Sequence, residues 1–294
     1  TIQTKGWELA IDYRHTFKNG LHFGVTASVA DDKTEVTKWT YNTKIPSYGA
    51  TGWWDKSAYK EGMVLGDIWG LQFDRFLTED DFNADGSLKA GLPDQTKVFP
   101  AGYQFAPGDV LYKDLDNNGE IVKQTNTNDK GDLSVIGNAL PRLQFGLNLD
   151  AAWKGFDISM FFQGVAKRKL WAAGNQVLPG FTTGEPFYKG AEDYWTPENT
   201  DAFYPRPMDY KQSASGNYSV NDRYLLNMAY LRLKTFTVGY SLPKVWLSKF
   251  KVQGLRVYFT GENLFTIDGV KPAIDPEIGI RTASGKSDQR NFGR

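Results

Sequence analysis

The chain has 294 residues and a mass of 33.1 kDa, with 34 Lys plus Arg balanced by 34 Asp plus Glu. Zero formal charge and a pI near 6.7 argue against a nucleic-acid binder and against a polybasic membrane-surface protein, since both depend on a cationic surplus. The chain has no cysteine, which removes disulfide frameworks, thiolate metal sites and cysteine nucleophiles, and His15 and His22 are too few for a histidine-rich metal centre.

Aromatic residues make up 15% of the chain beside 30 Gly, at a mean hydropathy of -0.47. That mixture reads as all-β with many turns, because aromatics suit pleated surfaces and Gly supplies turn geometry. The longest apolar runs are four residues, as in Met228 to Leu231, far short of the roughly 20 that a membrane-spanning helix needs. Barrel strands alternate and build no such run, so a membrane barrel stays open. Thr1 to Lys5 carries no apolar signal-peptide core and no initiator Met, and the chain reads as cut from something longer.

In chain order, the first strand alternates Trp7, Leu9, Ile11 and Tyr13 with polar neighbours. Asn19-Gly20 then signals a tight turn, because both residues tolerate positive φ. The return strand puts Leu21, Phe23, Val25, Ala27 and Val29 on one face. The cleanest strand, Arg142 to Trp153, sets Leu143, Phe145, Leu147, Leu149, Ala151 and Trp153 opposite Gln144, Asn148 and Asp150. Lys154-Gly155 turns it, and Phe156, Ile158, Met160 and Phe162 continue the apolar row. A third pair spans Tyr230–Tyr240 and Leu255–Phe265, bounded by Pro243 and Gly254. Its apolar phase flips from Leu231 and Leu233 to Phe236 and Val238, which predicts a β-bulge near Thr235.

Long connections alternate with these tight turns, at about 40–140, 166–228 and 267–294. A compact soluble domain rarely carries loops of roughly a hundred residues, whereas outer-membrane barrels join strands by short periplasmic turns and long outer loops. Twelve residues rise about 40 Å and, tilted near 45°, cross roughly 28 Å of hydrocarbon. Phe17, Phe23, Trp153, Phe156, Tyr240 and Trp246 gather beside the short turns, as an interfacial girdle does. The competing reading is a soluble β-sandwich whose alternating face is its core. Parity predicts a further inward strand after the tail that ends at Arg294, and six strands cannot close around a channel.

Several segments together resemble the C-terminal part of SusC/RagA-type TonB-linked outer-membrane transporters of the Bacteroidetes. They are Pro107-Gly-Asp-Val-Leu-Tyr-Lys-Asp-Leu-Asp-Asn-Asn-Gly-Glu-Ile121, Ile136-Gly-Asn-Ala-Leu-Pro141, Trp153-Lys-Gly-Phe-Asp-Ile158, Tyr194-Trp-Thr-Pro-Glu-Asn199, Tyr204-Pro-Arg206, Tyr230-Leu-Arg-Leu-Lys234, Gly239-Tyr-Ser-Leu-Pro243, Gly261-Glu-Asn-Leu-Phe265 and Asp275-Pro-Glu277. Order and spacing match across nearly the whole chain. The resemblance implies that residues 1–294 are the C-terminal portion of a large antiparallel transmembrane barrel of about 22 strands, here about six with the final one missing. It implies a plug and TonB-contacting segment outside this chain, a SusD-like surface lipoprotein as lid, and import of oligosaccharides or peptides across the bacterial outer membrane. The neutral charge and abundant aromatics lean towards glycans.

Asp114, Asp116, Asn118 and Glu120, with Gly119 at the sharp turn, resemble the opening of a calcium loop. Thr125 stands where a bidentate acid belongs, so Asp129 or Asp132 would have to complete the set, and a metal-free Asx-rich turn is the equal alternative. Asp81, Asn83, Asp85 and Gly86 read as a turn rather than a metal loop, with Leu92 at the twelfth position. Trp53, Trp54, Trp171, Trp195 and Arg206 are the candidate substrate contacts. The weightier reading of the loop aromatics, which include Tyr59, Trp69 and Tyr194, is internal packing of the loops. Arg223 and Arg232 would face substrate or solvate loop ends, and His15 and His22 line the lumen or the interface. There is no Gly-x-Ser-x-Gly elbow, no His-Glu-x-x-His and no phosphate loop, so no enzyme is expected and no cofactor beyond the calcium option is required. A soluble calcium-dependent carbohydrate-binding β-module is the rival function, and a secreted glycosidase comes third.

Overall fold

The computed structural model describes residues 1–39, 61–123, 130–172, 174, 176–180, 188–208, 216–271 and 274–277. Its elements in chain order are β1 (Ile2–Thr16), β2 (His22–Val36), β3 (Asp67–Gly70), β4 (Phe73–Phe76), β5 (Val110–Tyr112), β6 (Ser134–Asn138), β7 (Arg142–Trp153), β8 (Phe156–Lys167), β9 (Lys169–Leu170), β10 (Leu226–Asn227), β11 (Tyr230–Ser241), the short helix α1 (Lys244–Leu247) and β12 (Arg256–Asp268). Six long strands form one antiparallel sheet in the order β1-β2-β7-β8-β11-β12. The short strands pair among themselves in the long loops, β3 with β6, β4 with β5 and β9 with β10.

The turns follow from the residues that make them. Gly20 has φ +81°, and the Asn19 carboxamide oxygen accepts the Leu21 N–H at 3.0 Å. Lys154 and Gly155 take φ of +48° and +90°, the mirror-image turn that matches strand twist. The predicted bulge lies where expected, as a register shift between Leu233 and Thr235 against both neighbours. Opposite it, Asn263 adopts φ +51°, a left-handed conformation that Asn tolerates better than most residues, which accounts for the Asn of Gly261–Phe265.

Register converts alternation into two faces. Ile11, Ala27, Leu147, Phe162, Leu233 and Phe265 align as one row across all six strands. A row facing the other way is Arg14, Gly24, Asp150, Ser159, Thr237 and Thr260. Among the described residues no layer packs over the apolar face: Ile11 is 58% exposed and Phe259 64%. A sandwich would bury such side chains between its sheets, so the soluble-sandwich alternative does not form.

The buried cores lie in the loops instead. One contains Ile68, Trp171, Leu178, Tyr204, Tyr224 and Met228, and the other Leu71, Phe76, Val98, Val110, Tyr112 and Trp195. Each core draws on both the β2–β7 and the β8–β11 connections, so the two loops form one body. Backbone bonds join them directly, as where Leu71 N–H donates to Val220 O at 2.9 Å. The tail after β12 contributes Val270 to the first core.

Candidate functional site in the outer loops

Several dispersed motifs converge on one polar clasp. Asp109 is fully buried, and its carboxylate accepts from Arg206 Nε at 2.8 Å, Arg206 Nη2 at 3.2 Å, Tyr103 Oη at 2.8 Å, Asn217 Nδ2 at 2.9 Å and Ala106 N–H at 2.9 Å. Asn217 in turn accepts the Val110 N–H at 2.7 Å, and Tyr112 Oη donates to Gly216 O at 2.8 Å. Burial works against the Arg206 charge, yet Asp109 holds the guanidinium above its ordinary value. Burial, then the Asp109 charge, push the Tyr103 phenol well above its usual range. Gly108 has φ +89°, and a Cβ there would lie 2.5 Å from the Trp195 ring, so only glycine brings Asp109 under Arg206. Arg206, a candidate substrate contact, is the bidentate partner of this buried carboxylate and clasps the two loops together.

The other candidates are distributed as follows. Trp171 and Trp195 are 4% and 7% exposed, each inside a loop core, in keeping with the internal-packing reading of the loop aromatics. Trp53, Trp54 and Tyr59 lie outside the described residues. Arg223 donates to Phe203 O and Ala202 O and stacks over Phe73 at 4.3 Å. Arg232 and Lys234 pair with Glu277, and Arg232 also with Asp275, which joins two motifs far apart in sequence. His22 faces Asp150 at 3.7 Å on the polar side of the sheet.

In the acidic turn the carboxylates of Asp114, Asp116 and Asp132 each place an oxygen within 4.8 Å of the others. Burial and the neighbouring carboxylates push the Asp116 carboxyl up, although the Asn118 N–H opposes them. Such a concentration of negative charge is what a hard cation relieves. Glu120 does not join this group, because its carboxylate is held by Lys97, and Asn118 Oδ1 is occupied by the Glu120 N–H at 2.8 Å. Asp132 takes the third place from the far side of the loop, while also accepting Leu115 and Val122 N–H at 2.8 and 2.7 Å. Residue Asp129, the other candidate, lies outside the described set. The Asp81–Gly86 run forms a turn: Arg75 grips Asp81 at 2.6 and 2.7 Å, and Asp85 accepts the Ser87 N–H and hydroxyl.

A feature that sequence reading missed is an open cavity of about 580 Å³ in the outer loops, lined by Tyr188, Tyr194, Tyr204, Tyr218, Pro205 and Glu192. Tyr188 and Tyr194 remain exposed at its mouth. The only signal for it was the tyrosine density of the second long loop, which has no period to read.

No protein-family model matches the chain. It is 34% identical to the TonB-dependent receptor P26 of Formosa agariphila over 94% of its length, and 26% identical to the TonB-dependent receptor P3 of the same organism over 99%. It spans 26% and 27% of those two relatives. In fold it is similar to the RagAB peptide transporter, with a TM-score of 0.65 at 17% identity over 95% of this chain and 27% of that one. The open-open state of the RagAB peptide importer gives a TM-score of 0.62 at 16% identity, over 95% of this chain and 26% of that one. With the motifs, the strand order and the uncovered apolar face, these likenesses identify the chain as a segment of the outer-membrane β-barrel of a TonB-dependent receptor, similar in fold to the RagAB transporter.

Proposed function

We propose that the chain forms part of the wall and outer vestibule of a bacterial outer-membrane importer, powered by TonB through a plug outside these residues. The cargo is an oligosaccharide or a peptide, captured beneath a SusD-like surface lipoprotein that seats on the interlocked outer loops. The two-faced sheet carries this reading. Among the described residues its apolar rows have no protein cover, and strands of this length match the hydrocarbon thickness, while its reverse face offers Arg14, Asp150, Thr237 and Thr260 to an aqueous lumen. The tyrosine-lined cavity fits cargo with faces to stack, which suits sugar rings first and proline- or aromatic-bearing peptides second.

The test compares two adjacent strand positions in the full receptor. Leu147→Arg should lower barrel stability in lipid by about 2–4 kcal/mol if the residue lies near the midplane, whereas Asn148→Arg should change it little. Stability is read from the denaturant dependence of heat-modifiable gel migration. Equal losses at both positions would contradict the inside and outside assignment.

The acidic turn supports a further element of this reading, a Ca²⁺ ion held by Asp114, Asp116 and Asp132 that would rigidify the outer loops. Transport itself requires no cofactor in this account.

A further inference from the structure

The three short turns share a composition unlike the rest of the sheet. Residues 16–21, 153–156 and 242–255 contain Lys18, Lys154, Lys244, Lys249 and Lys251 and no Asp or Glu. The last turn is also built differently. Its ends are tied by the Leu242 N–H donating to Leu255 O at 2.9 Å, and between them α1 and a following 3-10 turn fold into a small knob. Leu247 is buried within it, while Val245 is 77% and Trp246 59% exposed, and Val252 and Leu255 are exposed too. Lys244, Lys249 and Lys251 are exposed, and among the described residues no carboxylate pairs with any of them.

An apolar surface with Trp at its edge and unpaired lysines beside it suits one environment, the boundary between acyl chains and phosphate headgroups. The knob continues the lipid-facing rows without a break, since Val257 and Tyr240 lie directly above it and Phe156 packs on Tyr240 at 4.4 Å. We propose that the turn 242–255 is an amphipathic cationic foot seated in the periplasmic leaflet, where Lys244, Lys249 and Lys251 hold the phosphates of anionic phospholipid while Val245 and Trp246 enter the acyl region. This rests on the membrane-barrel reading given above. The foot fixes the height of β11 and β12 in the bilayer, the two strands whose outer ends carry the Arg232 and Lys234 ion pairs.

The experiment uses the whole receptor in detergent, stripped of native lipid and offered phosphatidylglycerol or phosphatidylcholine, with retained lipid counted by native mass spectrometry. Each lysine near an anionic surface contributes roughly fivefold, so Lys244→Gln, Lys249→Gln and Lys251→Gln together should weaken the phosphatidylglycerol preference roughly a hundredfold. The corresponding Lys→Arg triple variant should keep it. In nanodiscs with brominated acyl chains, part of the tryptophan quenching should vanish in Trp246→Phe, and a separate part in Trp153→Phe. An unchanged preference in the Gln variant, or quenching lost with Trp153 but not with Trp246, overturns the foot and leaves the barrel standing. Quenching at neither position overturns the barrel reading and the foot with it.

Discussion

The sheet and the loop body use the same amino acids to opposite ends. In the sheet, Ile11, Phe259 and Ile267 are exposed and the polar partners line up on the reverse face. In the loop body, Tyr112, Tyr224 and Leu178 are fully buried, and the buried Asp109 is locked in a pair with Arg206. A single-layer sheet needs no interior when lipid wets one face and water the other, because its backbone is satisfied by the ladder alone. Loops standing in water enjoy neither condition, so they must build a core of their own, and they do it by combining two segments of chain that are distant in sequence.

Breaking the clasp should separate the regions most sharply. Asp109→Ala leaves Arg206 half-buried without its carboxylate and should destabilise the loop body by about 3–5 kcal/mol. Limited proteolysis of intact cells should then cut the outer loops while heat-modifiable migration of the barrel persists. If barrel and loops lose resistance together, the two regions are one cooperative unit. Leu147→Arg is the mirror image, and should damage the sheet before the loops.

A smaller effect comes from acid. The Arg75 guanidinium, by its hydrogen bonds to the carboxylate, holds Asp81 down to about 2 although partial burial opposes it. A carboxyl depressed in the folded state adds stability above its unfolded value near 4 and loses it as pH falls towards 2. With Arg75 partly in solvent, the amount is about 1–2 kcal/mol. Tryptophan fluorescence of the loop body should show that acid step in the native receptor and lose it in Asp81→Asn. The smallest expected effect is that of calcium, which should raise the thermal midpoint of the loop body by a few degrees, and do nothing in Asp116→Asn. A shift that survives the substitution would place the ion elsewhere.

The hairpins were legible because each carries its own period and its own turn residues, and even the bulge near Thr235 announced itself as a change of phase. Joining β2 to β7 and β8 to β11 was legible only from the alternation of short turns and long loops that a barrel makes, and the register of those pairs was not, since the loops between them have no period to follow. Position counting within one turn pointed to Glu120, whose side chain is taken by Lys97, while Asp132, named with Asp129 as the residue to complete the set, lies beside Asp114 and Asp116 through a chain reversal. Trp171 and Trp195 take the internal-packing reading that the sequence favoured for the loop aromatics, whereas the pairing of Arg206 with Asp109 could not be read from residues that do not alternate. Gly108 and Gly239 show what the motifs record. Gly239 leaves room for Arg256 to cross to Asp157, with which it pairs at 3.0 and 2.5 Å, just as Gly108 leaves room for Trp195.

The clasp between Asp109 and Arg206 also bears on the sequence of folding. Its two halves come from loops about a hundred residues apart, and each loop core takes residues from both, so neither core is complete until the second loop has been made and brought to the first. Closing that loop is an entropic cost which the buried carboxylate and its five hydrogen bonds help to offset.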